Sequence, residues 1–358
     1  MKVLQILHPG LGGTSTVAFM IVESQKFTEL NIENYFIFNG NENLLKSHIL
    51  RCKQNKIKFF FFKLIFPFST AIKVYLCLKK IKPDMIINHS NIFAPTFLYK
   101  ILSGKKFIYV DHSPDNTRKF KDWIKSLFCW ILSDYIVFVS YRKTEDFIYK
   151  YLRFFKKRYS TILNAVNLTE FKIKKRRTRY KNIGMAARFV DDKLQILLLE
   201  SFKKNIDFFK LKKIKLHLAG DGVNLKKYLL KYKKYKNIVF NGNLHGKKLI
   251  NWFKNMDLYA HISKDETTST SILQAISCDT PLLISDVEGN KSLIHKLKVT
   301  NYCKITKNNE DDIGNNIKKI IKDKNSFYNA RKLKILSQPK IDLKIFFKQY
   351  FKIYNFIK

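Results

Sequence analysis

The stretch from residue 257 to residue 286 combines side chains that could bind a phosphorylated ligand. An apolar run, Leu258–Ile262, has the length of a buried strand, and Thr270 or Ser271 could cap a helix after it. Glu266 and several hydroxyl residues therefore fall between the carboxyl end of a strand and the amino end of a helix. Ligands of open α/β sheets bind at such a point, and backbone N–H groups at a helix start attract phosphate.

Two basic residues follow the first strand predicted in the second half of the chain. The guanidinium of Arg188 can donate two parallel hydrogen bonds to phosphate oxygens, and Lys193 adds a point charge. Lysine is so frequent in this sequence that an ordinary exposed loop would also contain such a pair. The segment Gly220–Gly222, which follows a later strand, is likewise better explained as a plain turn than as a binding site.

A glycine-rich turn, Gly10–Gly13, follows the first strand of the chain. Gly12 and Gly13 would let a phosphate approach the backbone at the start of a helix. The turn has no third glycine at the spacing that the dinucleotide-binding fingerprint requires, and the second strand ends in Phe38-Asn39-Gly40, with no carboxylate placed to hold a ribose. The pattern argues against a nicotinamide enzyme, although a plain tight turn would explain the glycines equally well.

Two histidines, His89 and His112, come directly after predicted strands. At that edge of a sheet an imidazole could donate a hydrogen bond to an anionic group or a sugar. A single histidine there is more often structural, but two in one domain favour a functional role.

Runs of strand length alternate with helical patterns through the chain, which is the βαβ rhythm of a parallel, doubly wound sheet. The strands are predicted at Val3–Leu7, Tyr35–Phe38, Ile57–Phe61, Met85–Asn88, Phe107–Val110, Tyr135–Val139, Ile183–Met185, Lys215–Leu218, Ile238–Phe240, Leu258–Ile262 and Leu282–Ile284.

The rhythm stops around residues 164–181, where the strongly basic segment 172–181 is typical of an exposed connector. We therefore predict an α/β protein with two Rossmann-like domains, each a doubly wound parallel sheet, facing across a cleft. The expected division is an N-terminal acceptor-binding domain over residues 1–165, a basic linker over 166–181, a C-terminal nucleotide-sugar-binding domain over 182–336 and a C-terminal helix over 337–358. That helix could pack back on the first domain.

The composition is strongly basic, with 68 Lys and Arg against 28 Asp and Glu in 358 residues and a net charge of +40. Anionic lipid, nucleic acid and polyphosphate substrates all suit such a charge. The chain lacks any recognised nucleic-acid-binding module, so we expect no nucleic acid partner. Five widely separated cysteines without metal-ligand spacing indicate a reducing, cytoplasmic setting. The sequence suggests neither a secretion signal nor a membrane span.

The segment Arg118–Leu132 mixes basic residues with aromatic ones at helical spacing. Trp123, Trp130 and Ile131 fall on one helical face, and such a helix can lie in a lipid interface. Arg142–Tyr159 is similarly basic and aromatic. The alternative is an ordinary helix that covers the sheet and exposes its basic residues.

Taken in order, these motifs resemble the retaining, nucleotide-sugar-dependent glycosyltransferases of family 4, which have the two-domain GT-B fold. The resemblance covers nearly the whole chain. It rests on the glycine turn and the segments VDHS, SDYIVFVS and ILNAVNLTEF in the first half, and on ARFVDDK, LAGDG, VFNGNL and residues 257–286 in the second. The order and spacing of these motifs are specific, although no single motif is.

The resemblance implies a role for each candidate residue. Glu266 would contact the donor sugar, and Gln274 occupies the position at which the family has a ribose-binding glutamate. Arg188 and Lys193 would stabilise the diphosphate leaving group, and His112 would be the cleft histidine. The donor would also meet the backbone of Gly12, Gly13, Thr268, Ser269, Thr270 and Ser271.

The implied activity is that of a bacterial hexosyltransferase. It would move a sugar from a nucleotide-diphosphate donor, with retention of anomeric configuration, to a lipid-linked or surface-polysaccharide acceptor such as lipopolysaccharide, capsule or O-antigen. The donor is a co-substrate, and neither a cofactor nor a metal is expected. The expected partners are the nucleotide sugar, a glycan or glycolipid acceptor and an anionic membrane surface, with the protein cytoplasmic and peripherally attached to the inner face of the cytoplasmic membrane. Because Gln274 replaces a glutamate, a catalytically weak or silent GT-B protein that acts as an assembly or binding partner is the alternative.

Overall fold

The computed structural model describes residues 1–10, 12–90, 94–112, 120–140, 154, 158–173 and 178–357. The chain divides into unit 1, which contains Met1–Asn164 and Leu343–Lys358, and unit 2, which contains Ala165–Asp342. These bounds differ from the expected ones in two places. Ala165 and the described residues of the expected linker, 166–173 and 178–181, belong to unit 2. The second boundary falls after residue 342 instead of 336, because a helix continues through that point.

The described residues of unit 1 include seven strands, and all neighbouring strands pair in parallel. They are β1 (Lys2–Leu7), β2 (Glu33–Gly40), β3 (Lys58–Lys63), β4 (Met85–Asn88), β5 (Lys106–Asp111), β6 (Tyr135–Phe138) and β7 (Arg158–Thr161). Their spatial order is β3-β2-β1-β4-β5-β6-β7, so the direction of winding reverses between β1 and β4.

Five helices of unit 1 connect these strands. They are α1 (Gly13–Ser24), α2 (Lys46–Gln54), α3 (Pro67–Ile81), α4 (Ala94–Ser103) and α5 (Phe120–Leu132). One face of the sheet is covered by α1 and α2, through side chains such as Phe19 and Cys52. The other face is covered by α3, α4 and α5, through Leu78, Tyr99 and Trp130. Residues 118 and 119, and all of the basic segment 142–159 except 154, 158 and 159, lie outside the described residues.

The structure contradicts the assignment of the two tryptophans of α5 to a lipid interface. Trp130 is buried, its indole Nε1 donates a 3.2 Å hydrogen bond to Asp111, and its ring packs against Phe138 of the sheet. Trp123 is half-buried and packs edge-on against Trp130. The two tryptophans of the face that the pattern assigned to lipid therefore lie on the side that covers the sheet, whereas Ile131 is exposed.

Unit 2 contains a six-stranded sheet, also parallel throughout. Its strands are β8 (Asn182–Ala186), β9 (Lys215–Ala219), β10 (Ile238–Gly242), β11 (Leu258–His261), β12 (Leu282–Ser285) and β13 (Lys304–Thr306). The spatial order is β10-β9-β8-β11-β12-β13, so the winding reverses between β8 and β11.

The helices of unit 2 follow the same alternation. They are α6 (Gln195–Lys204), α7 (Ile206–Leu211), α8 (Leu225–Tyr232), α9 (Gly246–Lys254), α10 (Thr270–Ser277), α11 (Glu288–Leu297), α12 (Glu310–Lys322) and α13 (Ser326–Ile341). The last helix, α14 (Leu343–Ile357), belongs to unit 1 and packs against α1.

The expected α/β class with two doubly wound parallel sheets is confirmed. All eleven predicted strands coincide with observed ones, and the two that the pattern missed are β7 and β13 at the edges of the two sheets. Within the described part of the chain, no helix is both long enough and apolar enough to cross a membrane.

Candidate active site

The reversal of winding between β8 and β11 sets two loops side by side at the carboxyl edge of the sheet in unit 2. The loop after β8 carries Arg188 and Lys193, and the loop after β11 carries Glu266. A backbone hydrogen bond of 2.9 Å from Lys264 N–H to Asp192 C=O joins the two loops. Such a crevice is where ligands of open α/β sheets bind.

The carboxylate of Glu266 is held through one of its two oxygens. Its Oε1 accepts a hydrogen bond from the ammonium of Lys193 and another, of 2.5 Å, from His261 Nε2. The Glu266 side chain is only 9% exposed. Within the described part of the chain, Oε2 makes no hydrogen bond, so this oxygen remains an acceptor for a ligand.

The charge state of Glu266 follows from these neighbours. Burial raises the pKa of the carboxyl, because an ionised group loses its hydration. The charges of Lys193 and His261 and their hydrogen bonds outweigh that effect and lower the pKa from 4.5 to about 2. Glu266 is therefore ionised at neutral pH, where it accepts hydrogen bonds and donates none.

Strand β11 supplies a member of the site that the sequence pattern missed. His261 is buried, and its Nδ1 lies 3.3 Å from the hydroxyl of Tyr259. That hydroxyl also donates a 3.1 Å hydrogen bond to the carbonyl of Ala186, at the end of β8. The imidazole therefore connects Glu266 to both central strands. The one signal in the sequence is a polar residue inside an apolar run, five positions before Glu266.

The loop that carries Arg188 is fixed through its backbone. Gly220 has φ of +137°, and a Cβ at this residue would come within 2.0 Å of the carbonyl oxygen of Ala187. Gln195 Nε2 donates a 2.7 Å hydrogen bond to the Arg188 carbonyl. The Arg188 side chain itself is exposed. The Gly220–Gly222 turn therefore supports the loop, while the guanidinium stays accessible to a ligand.

Helix α10 begins directly after Glu266, but the expected caps are wrong. Its N-cap residue is Ser269, not Thr270 or Ser271, and among the described residues no side chain caps the helix. The hydroxyls of Ser269 and Ser271 lie 3.0 Å apart. Because the first turn of a helix leaves its N–H groups without intrahelical acceptors, this end suits an anion or sugar hydroxyls. Thr268 precedes the cap and is buried.

Gln274 lies one helical turn after Thr270, on the same side of α10. Its side chain is half-buried and makes no hydrogen bond within the described residues. Eight positions separate it from Glu266. The amide is therefore placed to act as donor and acceptor for a ligand that occupies the helix start.

The start of α11 presses against the backbone of the Glu266 loop. A Cβ at Gly289 would lie 1.8 Å from the carbonyl oxygen of Glu266 and 3.0 Å from that of Thr267. Only a glycine allows this approach, so the position of Glu266 depends on α11 as well as on β11.

In unit 1 the glycine turn lies where the winding reverses between β1 and β4. The carbonyl of Gly12 accepts hydrogen bonds of 3.2 Å from the hydroxyls of Ser15 and Thr16, which fix the start of α1. A Cβ at Gly13 would meet no atom within 4 Å, so the backbone there is open to a ligand.

The two histidines of unit 1 form a hydrogen-bonded chain. Gln5 Nε2 donates to the carbonyl of Ala18, so Gln5 Oε1 accepts from His89 Nε2 at 2.8 Å. Burial, together with the nearby His112, lowers the pKa of His89 well below its usual range. A neutral His89 then accepts at Nδ1 the proton of His112 Nε2, 2.9 Å away. The chain fixes which nitrogen of His112 carries a hydrogen.

The structure thus joins Lys193 directly to Glu266, with Arg188 on the same loop as Lys193 and Gln274 on α10, the helix that follows Glu266. Gly12, Gly13 and His112 belong to unit 1. Among the described residues there is no group of three His, Cys, Asp or Glu side chains that could hold a metal ion.

Residues 166–334, nearly all of unit 2, match the family model of glycosyl transferases group 1. Over 276 residues the chain is 26% identical to the O-antigen biosynthesis glycosyltransferase WbnH of Escherichia coli, covering 73% of this chain and 74% of WbnH. It is also 36% identical to protein CapJ of Staphylococcus aureus over 101 residues, about a quarter of each chain.

Two solved structures show the same fold over 99% of both chains. The crystal structure of Anabaena HepE in complex with UDP and glucose superimposes with a TM-score of 0.78 at 12% identity. The lipopolysaccharide outer core galactosyltransferase WaaB, in its apo form, superimposes with a TM-score of 0.64 at 17% identity. The two parallel sheets of this chain are those of the GT-B fold. Residues 166–334 therefore form a glycosyl transferases group 1 domain, and the protein is a glycosyltransferase.

Proposed function

We propose that the protein transfers a sugar from a nucleoside-diphosphate donor to a lipid-linked or surface-polysaccharide acceptor, with retention of the anomeric configuration. The observation that supports this most directly is the pair formed by Lys193 and Glu266 beside the start of α10. It puts a cation for a phosphate and a carboxylate for sugar hydroxyls within one crevice.

The diphosphate half of the donor suits the basic loop. When the bond between the anomeric carbon and the diphosphate breaks, negative charge grows on the leaving oxygens, and groups already aimed at that charge lower the barrier. The exposed guanidinium of Arg188 offers paired donors. Lys193 is bonded to Glu266 in this structure, but an ammonium has three hydrogens and can hold a phosphate oxygen at the same time.

The sugar half of the donor suits Glu266. Its Oε2 is an ionised acceptor at the edge of a nearly buried carboxylate, so a sugar hydroxyl would form a charge-assisted hydrogen bond there. A deoxy sugar would leave this acceptor without a partner, which is the kind of loss that gives strong discrimination.

The remaining candidate residues complete the proposal. Gln274 would bind the ribose through neutral hydrogen bonds. His112, Gly12 and Gly13 keep the roles that the family resemblance implies, as a catalytic histidine and as donor contacts. Positive charge for the leaving group would come from side chains and from the helix start, so we propose a reaction that needs neither a metal nor a cofactor.

The acceptor class and the location extend the proposal. The name of the relative WbnH refers to O-antigen biosynthesis, which supports a polysaccharide or lipid-linked glycan as acceptor. Such acceptors are held at membranes, so we place the protein in the bacterial cytoplasm, at the anionic inner face of the cytoplasmic membrane. The complex of HepE with UDP and glucose makes uridine diphosphate sugars the first donors to test.

The test is donor hydrolysis and transfer by Glu266→Gln. This variant keeps the shape of the side chain but replaces the ionised acceptor with an amide, and we expect activity to fall on the order of 10²–10³-fold, as when a preorganised polar contact is removed. Asp207→Asn is the matched control, because it also neutralises a carboxylate of unit 2 but an exposed one. Near-parental activity of Glu266→Gln would reject the assignment.

The alternative, a silent GT-B protein that serves as a binding partner, is motivated by Gln274. It predicts that nucleoside diphosphates raise the melting temperature of the parent protein, as any ligand of the folded state does. It also predicts that no nucleotide sugar in a broad panel is hydrolysed or transferred. Turnover of any donor by the parent protein would exclude this alternative.

A further inference from the structure

The helices on the two faces of the sheet in unit 1 differ sharply in what they expose. On α3, α4 and α5, ten large apolar side chains are exposed. On the described residues of α1, α2 and α14, which cover the opposite face, the exposed large apolar side chains are Leu50 and Phe356. Single exposed apolar residues are normal, but a contiguous set marks an interaction surface.

On α3 the exposed residues form a single stripe. Phe68, Ile72 and Leu76 repeat at intervals of four residues, and Phe68 is 81% exposed. The buried residues of the helix, among them Val74 and Leu78, lie on the opposite side and cover the sheet. The helix is therefore apolar on both sides, and among the described residues only the side of Val74 and Leu78 is covered.

Helix α5 also exposes a stripe of apolar side chains. Phe120, Ile124 and Phe128 repeat at intervals of four residues on its exposed side, and Phe120 is 78% exposed. The core side of this helix is the one that holds Trp130. The stripe is thus distinct from the side of the two tryptophans, whereas Ile131 is exposed and belongs to the outer side of the helix.

Helix α4 joins the two stripes into a continuous surface. It packs beside α3, and Lys100 reaches the end of α5 with a 2.8 Å hydrogen bond to the carbonyl of Leu132. Its exposed apolar residues are Leu98, Ile101 and Leu102. We call this surface, made by the exposed apolar residues of α3, α4 and α5, the outer face.

The charges around the outer face are almost entirely positive. The three helices contain six lysines and a single acidic residue, Asp122, which lies 3.5 Å from Lys125. Of the six lysines, Lys100 is paired with Asp134, just after α5, at 2.9 Å. Lys79 follows Leu76 by three residues on the same side of α3, and Lys121 flanks the stripe of α5. Protein–protein interfaces are depleted in lysine. Lysines beside apolar side chains instead suit lipid phosphates above acyl chains.

We propose that the outer face is a docking surface for an anionic lipid bilayer. The apolar stripes of the three helices enter the boundary between headgroups and acyl chains, and the lysines contact lipid phosphates. The sheet lies behind this layer, so the helices rest in the plane of the membrane without crossing it. The inference deepens the membrane location contained in the proposed function, but its test needs neither donor nor acceptor.

The experiment measures binding of the whole protein to vesicles by co-sedimentation. The outer-face variant is Leu76→Gln with Leu102→Gln and Phe120→Gln, one exposed residue from each helix. The control is Leu50→Gln with Phe356→Gln, which removes exposed apolar side chains from the opposite layer. The vesicles are equimolar phosphatidylglycerol and phosphatidylcholine, or phosphatidylcholine alone.

We expect the parent and the control to bind the phosphatidylglycerol vesicles equally and more tightly than phosphatidylcholine alone. The outer-face variant should bind at least about tenfold more weakly, because three apolar side chains no longer enter the interface. Its melting temperature and donor hydrolysis should match those of the parent, since the substituted side chains are exposed and lie outside the catalytic machinery.

Three results would overturn the inference. The first is equal binding of parent and outer-face variant, and the second is absence of binding by the parent. The third is a parent dimer that the outer-face variant no longer forms and that binds no vesicles, which would assign this surface to self-association. A failed proposal of sugar transfer is distinguishable, because it would remove hydrolysis and leave vesicle binding unchanged.

Discussion

The ionised state of Glu266 depends on an opposite charge, that of Lys193, which is itself largely buried. Its carboxylate is 9% exposed, and the Lys193 side chain that neutralises it is 19% exposed. Removing one partner of such a pair is costly because the other charge stays buried. The same contacts that prepare this site for a sugar hydroxyl therefore also contribute to the stability of unit 2.

The first prediction concerns the pH dependence of that contribution. The pKa of Glu266 is lowered from 4.5 to about 2 in the folded chain, so ionised Glu266 stabilises the fold fully above pH 4.5. This stabilisation is lost as the pH falls from 4.5 towards 2, and a shift of this size corresponds to about 3 kcal/mol. Glu266→Gln should therefore melt well below the parent at pH 6, and the difference should shrink as the pH approaches 2.

Thermal melts of the whole protein between pH 7 and pH 2.5 measure this difference in the transition of unit 2. Asp207→Asn is again the control, and its melting temperature should follow the parent at every pH. A constant gap between Glu266→Gln and the parent over the whole range would show that ionisation of Glu266 does not stabilise the fold.

At the level of residues, chemical type and spacing predicted part of the site. Glu266 and Lys193 stand out because a carboxylate and a cation follow strands whose carboxyl ends meet at one edge. His261 was missed because an alternating α/β pattern marks its strand as apolar, and the pattern carries no information on hydrogen bonds within the strand. The face of Trp130 was misassigned because helical spacing groups residues on one side without showing which side the sheet occupies.

Helix α11 illustrates how one element fixes another. Its second residue, Gly289, touches the backbone of the Glu266 loop, where a Cβ would lie 1.8 Å from a carbonyl oxygen. Backbone atoms cannot rotate away as a side chain does. An added methyl group must therefore displace the loop, the helix or both.

The second prediction is that Gly289→Ala destabilises unit 2 by about 1–3 kcal/mol, the usual range for overpacking, and lowers activity by displacing Glu266. Gly13→Ala is the control for stability. It also places alanine in the first turn of a helix, but its Cβ meets nothing within 4 Å, so the free energy of unfolding should change by less than about 1 kcal/mol. Urea unfolding of both variants provides the comparison, and equal effects would argue against steric crowding at Gly289.

At the level of elements, the buried strands were predictable because both faces of a parallel sheet are covered and their sequences are continuously apolar. The two missed strands, β7 and β13, are short edge strands with polar sequences, Arg158–Thr161 and Lys304–Thr306. They are defined by pairing with a neighbour more than by their own composition. The start of α10 was misplaced because several hydroxyl residues in a row are equally good caps in sequence terms.

The molecule as a whole consists of two units with separate sheets and separate cores. Domains of this kind usually melt as individual cooperative transitions. Tyr350 of α14 and Phe202 of α6 are both fully buried, the first in unit 1 and the second in unit 2.

The third prediction is therefore reciprocal. Tyr350→Ala should lower only the calorimetric transition of unit 1, and Phe202→Ala only that of unit 2, each by the equivalent of about 3–5 kcal/mol for a large buried aromatic residue. Each variant is the control for the other. If both variants lower both transitions equally, the two units melt as one cooperative body.

The alternation of strands and helices was enough to predict two α/β units, because each βαβ repeat is formed by contacts between segments that are close in the sequence. The residues at which the units begin and end were harder to predict. Val166 pairs with Asp342, residues far apart in the sequence, and such pairing depends on the folded backbone and leaves no periodic signal.

The last helix has a consequence for how this chain is made. Unit 1 needs α14, whose Phe346, Phe347 and Tyr350 are buried, yet all 178 residues from Ala165 to Asp342 are translated between Asn164 and that helix. At about 5–20 residues per second, the ribosome needs roughly 10–35 seconds to synthesise them. During that time the side of α1 that α14 will cover stays open in the nascent chain. Unit 2 can fold without interruption once its own residues have emerged, so the half of the protein that is translated first is the half that completes its core last.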